Sequence, residues 1–124
     1  MAEINKELKK LIEENALAFA TVDETANPHC IAVGYPKVVN KNKIIITDVA
    51  MNETIKNIQR NNNVALTVWN RKWEENCIGY ELGGTAECFT SGKWKEFVNN
   101  MPENKEYNPK GAILVTISKI KKLS

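Results

Sequence analysis

The sequence predicts a mainly β protein of one domain over residues 1–124, six antiparallel strands forming a barrel with about three helices over its open ends. Three observations carry this. Apolar, strand-length runs recur at residues 16–22, 29–39, 44–48, 64–69, 77–89 and 111–120. Hairpin-length links join the first strand to the second and the second to the third, which makes the sheet mainly antiparallel. Six strands with so few helices leave edges that closure removes.

The elements follow in order. Residues 3–15 place Ile4, Leu8, Leu11 and Ile12 on one apolar stripe of a helix, with lysines and glutamates elsewhere. Residues 16–22 are small and apolar, as in a buried strand, and residues 23–28 turn at Asn27-Pro28. The second strand, 29–39, is interrupted at Gly34-Tyr35-Pro36, where the proline removes a ladder donor and imposes an edge, a bulge or a kink. Residues 40–43 turn the chain into the β-branched run 44–48. Met51-Asn52-Glu53-Thr54 then opens a second helix, with Asn52 as N-cap and Glu53 at the positive end of the dipole. After Asn61-Asn62-Asn63 comes the alternating strand 64–69, a polar connection at 71–76, and a strand loosened by Gly79 and Gly83-Gly84. A third helix at 93–100, a polar loop at 102–109 and the strand 111–120 complete the order.

Composition excludes several functions. The chain is 43% hydrophobic and 26% charged, ordinary for a soluble globular domain. Seventeen basic against fifteen acidic residues give a net charge of +2, too weak for nucleic acid. No run is long enough for a membrane span and the first residues lack a secretory pattern, so a cytoplasmic protein is expected. Cys30, Cys77 and Cys88 are odd in number and widely spaced, which fits neither a disulfide framework nor a zinc site. Each is expected to be a buried, reduced small hydrophobe. His29 is the one histidine, and no hydrolase or P-loop pattern accompanies it. No metal ligand set and no catalytic side chain is assigned.

The informative stretch is residues 44–57, where a strand delivers the chain to a helix start. Free backbone N–H groups and the helix dipole then point at one place, an arrangement that suits an anion, and Thr54 adds a hydroxyl. An ordinary capped helix accounts for the same residues.

The chain resembles the pyridoxamine 5'-phosphate oxidase-related FMN-binding split-barrel family, and especially its short members, over roughly residues 7–120. The resemblance rests on Pro28-His29 and the strand after it, on Lys37-Val38-Val39, on residues 44–63 and on Leu82-Gly83-Gly84-Thr85-Ala86-Glu87. Within it, Met51 to Ile58 looks like the family's phosphate segment. The resemblance implies a six-stranded antiparallel split β-barrel of Greek-key type, a homodimer, and FMN near the subunit interface. It places Val33 and Gly34 against the flavin ring or ribityl chain, Ile46, Thr47 and Asp48 along the isoalloxazine edge, and Met51, Asn52 and Thr54 at the phosphate. Trp69, Trp73 or Tyr80 would stack from the partner subunit.

Two departures shape the functional expectation. Glu53 stands where the family commonly has a lysine or arginine. A charged hydrogen bond contributes ~1.5–3 kcal/mol, so its loss weakens FMN binding roughly ten- to hundredfold, with Lys56 at i+3 in partial compensation. The substrate-binding arginine motif of true pyridoxamine phosphate oxidases is not found, so oxidation of that vitamer is not expected. The reading is an FMN-binding flavoprotein, an oxidoreductase or electron-transfer protein with a small-molecule redox partner. The alternative is a cofactor-free dimer, or one that binds a deazaflavin or haem.

Overall fold

The computed structural model describes residues 2–123. Helix α1 (Lys6–Glu14) forms where expected but starts later, because Asn5 caps it by accepting from the Leu8 N–H at 2.9 Å. Leu8, Leu11 and Ile12 are its buried stripe. Before it, the chain runs extended, and the Ile4 N–H donates to the Lys41 carbonyl.

Strands β1 (Leu17–Val22) and β2 (Pro28–Val33) pair through a turn organised by Asp23. The Asp23 carboxylate accepts from the Thr25 and Asn27 N–H groups, and these bonds hold its pKa below the usual value. The expected second strand is in fact two. It breaks at Gly34-Tyr35-Pro36, where Tyr35 takes a left-handed φ of 57°, and resumes as β3 (Lys37–Asn40). The sheet therefore has seven strands rather than six among the described residues. Strand β4 (Lys43–Asp48), helix α2 (Glu53–Arg60), β5 (Asn63–Trp69), β6 (Gly79–Phe89), helix α3 (Lys93–Asn99), a short 3-10 turn (Pro102–Asn104) and β7 (Gly111–Lys122) follow.

All pairings are antiparallel, in the order β2-β1-β5-β6-β7-β4-β3. The expected closure does not occur: β2 and β3 are both edges. Yet they are joined by three residues, and four Cα steps bring Val33 and Lys37 within about 15 Å. The sheet therefore curls until its two ends approach each other, and the gap between them is a split. A continuous strand would have bridged it, but the Tyr35-Pro36 break redirects the chain.

The main core lies inside this curl and includes Leu8, Ile12, Phe19, Ile44, Ile46, Leu66, Leu82, Ile113 and Ile117. A second, smaller cluster of Ile45, Val98, Met101, Ala112 and Leu114 covers the other face of β4 and β7, under α3. Strand β4 is thus buried on both sides, which is why it reads as an unbroken isoleucine run rather than an alternation. The cysteine expectation fails for two of three. Cys30 is exposed because it lies on the outward side of β2, opposite Ala20, and Cys77 is exposed in the connection before β6.

Candidate cofactor site at the split

The end of β4 has two different neighbours. Strand β7 follows it to its last residue, pairing Asp48 with Gly111, whereas β3 stops at Lys37 opposite Ile45. The backbone of Ile46, Thr47 and Asp48 therefore has no strand partner on the split side, and the nearest chain in register is the Gly34–Pro36 link. Beyond Asp48 the chain turns into α2. The Asp48 carboxylate, in a residue only 4% exposed, fixes this turn by accepting from the Met51 N–H at 2.8 Å.

The candidate residues are placed as follows. Val33 and Ile46 are core residues of one cluster, so only their backbone faces the split. Gly34 is exposed, with open space where a Cβ would sit. Ile46 and Asp48 share one face of β4 and Thr47 takes the other, as strand periodicity requires. The Thr47 hydroxyl is engaged there, accepting from the Asn104 amide at 2.9 Å and lying 3.9 Å from the Met101 sulfur. Asp48, Met51, Asn52 and Thr54 come together around the start of α2; the Thr47 side chain does not join them.

That helix start is open. The first intrahelical bond runs from the Lys56 N–H to the Asn52 carbonyl, and the N–H groups of Glu53, Thr54 and Ile55 have no partner among the described residues. Asn52 was expected to cap the helix and does not: its backbone is helical (φ −119°, ψ −60°), not extended, and its side chain makes no capping bond. Its amide oxygen instead accepts from the Lys110 ammonium at 3.2 Å, and the same ammonium donates to the Met51 carbonyl. Thr54 is 2% exposed. Among the described residues its hydroxyl has no hydrogen-bond partner, and it is not sealed away from solvent. Three N–H donors and a hydroxyl lie on the first turn of α2 and an ammonium lies beside it, donor types suited to the acceptor oxygens of a phosphate monoester. Two carboxylates are of opposite character: that of Asp48, engaged by the Met51 N–H, and the exposed one of Glu53.

Lys110 has no signal in the local sequence. It follows a polar loop, and only the pairing of β7 with β4, remote in the chain, carries it here: its own N–H donates to the Asp48 carbonyl at 2.9 Å.

Of the aromatic candidates, Tyr80 is removed. It is buried, and its hydroxyl donates to the Glu7 carboxylate of α1. Burial first, then the hydrogen bond to Glu7 and its charge, push its pKa up to about 12. Trp69 and Trp73 are 42% and 43% exposed and line a shallow apolar depression with Gly79 and Leu123. Cys88 is half-buried, and burial with the nearby Asp48 charge raises its pKa to about 11, so its thiol stays protonated. A separate cleft of about 420 Å³ between α1 and residues 70–78 is lined by Glu7, Lys10, Glu14 and Arg71, and its mixed charges favour no single ligand sign.

Comparison with known proteins bears on this geometry. The family model described as pyridoxamine 5'-phosphate oxidase matches residues 4–124. Protein MJ0282 of Methanocaldococcus jannaschii is 30% identical, over 97% of this chain and 80% of its own length. Among solved structures, HupZ of Group A Streptococcus is 25% identical and superposes with a TM-score of 0.88, covering 97% of this chain and 94% of that one. An FMN-binding protein from Syntrophomonas wolfei, at 17% identity, shares the fold with a TM-score of 0.77 over 94% of this chain and 83% of its own.

Proposed function

This chain belongs to the pyridoxamine 5'-phosphate oxidase family, and we propose that it is an FMN-binding flavoprotein, an oxidoreductase or electron-transfer protein acting on a small acceptor. The observation that carries the proposal is the open start of α2, with its three unpartnered N–H groups and the unpartnered Thr54 hydroxyl. Bound there, a flavin supplies the redox chemistry, and the protein supplies position and electrostatics. The chain's own residues do the following. Asp48 holds the turn through the Met51 N–H; Thr54 and the first turn of α2 bind the phosphate; Val33, Gly34 and the unpaired backbone of residues 46–48 offer hydrogen-bonding groups to the ring. Oxidation of pyridoxamine phosphate is not part of the proposal. The chain has two arginines: Arg60 ends α2 and Arg71 lines the cleft beside α1, both away from this helix start.

The proposal includes a homodimer and a cytoplasmic location. No helix among the described residues is long and apolar enough to cross a membrane. The outward face of β2, β1 and β5 carries small side chains in register, Ala32 with Ala18 and Cys30 with Ala20 with Ala65, and ends at exposed Trp69. These residues are exposed or half-buried in one protomer, and a smooth sheet face of this kind suits a second copy of the chain.

The test is the visible spectrum of the protein purified without added cofactor, followed by titration with FMN. A flavin spectrum, or saturable quenching at about one FMN per chain, is expected. A colourless protein indifferent to FMN would favour the cofactor-free reading, for which Glu53 is the best support.

A further inference from the structure

We propose that Lys110, at the entrance to β7, supplies the cation for the cofactor's phosphate that helix α2 itself lacks. The inference rests on the flavin reading and deepens it. Helix α2 opens with Glu53, and its own lysine, Lys56, is exposed, its ammonium making no hydrogen bond or ion pair among the described residues. The ammonium found at that start belongs to Lys110, which rests on two neutral oxygens, the Met51 carbonyl and the Asn52 amide. Lys110 makes no ion pair among the described residues, and neither does Glu53. The Asp48 and Glu53 carboxylates stand at the same turn but neither contacts the ammonium, which with three donors and two neutral acceptors retains one donor for a further acceptor.

A second observation points to a ligand at the same place. Thr54 is 2% exposed, and its hydroxyl, not sealed from solvent, makes no hydrogen bond among the described residues. Such a hydroxyl is left to water in the free protein, and a phosphate oxygen at the helix start can take the place of that water and of the water on the free N–H groups.

The contact with Asn52 is compatible with an open helix start. Asn52, whose helical backbone does not let it cap, has its amide oxygen on the Lys110 ammonium, so that oxygen does not occupy the N–H groups of the first turn. The position is built rather than accidental. The Asp48–Gly111 pairing and the bond from the Lys110 N–H to the Asp48 carbonyl anchor its backbone beside the turn into α2.

The experiment compares FMN with riboflavin, which has the same ring and no phosphate, by fluorescence titration of wild type and Lys110→Met. Lys110→Gln serves as the second variant, and circular dichroism reports folding. Wild type is expected to prefer FMN, Lys110→Met to lose roughly ten- to hundredfold in FMN affinity, and riboflavin binding to be unchanged in both variants. Added salt should weaken FMN binding less in the variants than in wild type. An FMN-to-riboflavin ratio that survives both substitutions overturns the role of Lys110 while the flavin reading stands. A loss of that size in Lys56→Met instead assigns the charge to α2 and overturns it as well. Wild type that binds neither flavin overturns both the flavin reading and this inference.

Discussion

Tyr80, Glu7 and Lys122 tie three elements together at single residues. The Tyr80 hydroxyl donates to the Glu7 carboxylate of α1, and the Lys122 ammonium of β7 lies 3.3 Å from the same carboxylate. The Tyr80 pKa is raised from 10.0 to about 12, so the folded state favours the protonated phenol. That contribution is fully present below pH 10 and is lost as pH rises through about 12. Tyr80→Phe removes the titration. The stability gap between wild type and this variant, from urea midpoints, should be constant below pH 10 and should narrow toward pH 12. A gap independent of pH across that range would place the Tyr80 proton outside the folding equilibrium. Neither partner of this bond announces the other in the sequence. Glu7 reads as a solvated helix residue, and only the placement of α1 across the sheet, against β3 and β5, brings it to Tyr80.

At the scale of elements, Gly83 and Gly84 separate two roles that look identical in sequence. The pair suggests a bulge or a close backbone approach without saying which glycine does what. The register of β6 against β7 shifts between them, from Gly83 opposite Lys119 to Gly84 opposite Ile117. A Cβ on Gly84 would lie 2.0 Å from the Thr116 carbonyl oxygen, a backbone atom that cannot step aside, while one on Gly83 would meet the Lys119 Cβ at an ordinary 3.7 Å. Gly84→Ala should therefore cost ~3 kcal/mol or more. Gly83→Ala should be within ~1 kcal/mol of wild type. Thermal or urea unfolding checks both, and equal costs would contradict the observed register. Much of the element order was legible this way: periodicity located α1, β1, β4, α2, β5 and β7, because each buries one face or both and its apolar spacing follows. The split of the second strand was legible as an interruption at Pro36, but not as two strands on opposite edges of the sheet.

At the scale of the whole molecule, the outward sheet face of β2, β1 and β5 is covered by none of the described residues. Ala18, Ala20, Ala32 and Ala65 with Cys30 form its centre, and Trp69 its rim. A dimer built on this face is expected by light scattering at micromolar concentration. Ala65→Glu should yield a monomer with an unchanged circular dichroism spectrum, since the Ala65 side chain points outward. Alkylation offers a second readout: Cys30 is exposed in the protomer and should react slowly in the dimer and quickly in the variant. A wild-type monomer, or rapid Cys30 labelling in both proteins, would place the interface elsewhere.

The amino-acid sequence by itself determined the class of the protein, most of its elements and the position of the helix start to which the proposal assigns a phosphate. Each of these rests on spacing within a dozen residues, where backbone geometry and apolar pattern act locally. Tertiary structure decided the rest. Thr47 points away from Asp48 and Thr54 because the second core cluster claims its face of β4. Asn52 does not cap, because its backbone is helical, and its amide meets a lysine from the other end of the chain. Lys110 reaches the site only because β7 lies beside β4 in one register. Strand register is set by packing across the whole sheet, and no local spacing encodes which distant lysine it brings to a helix start.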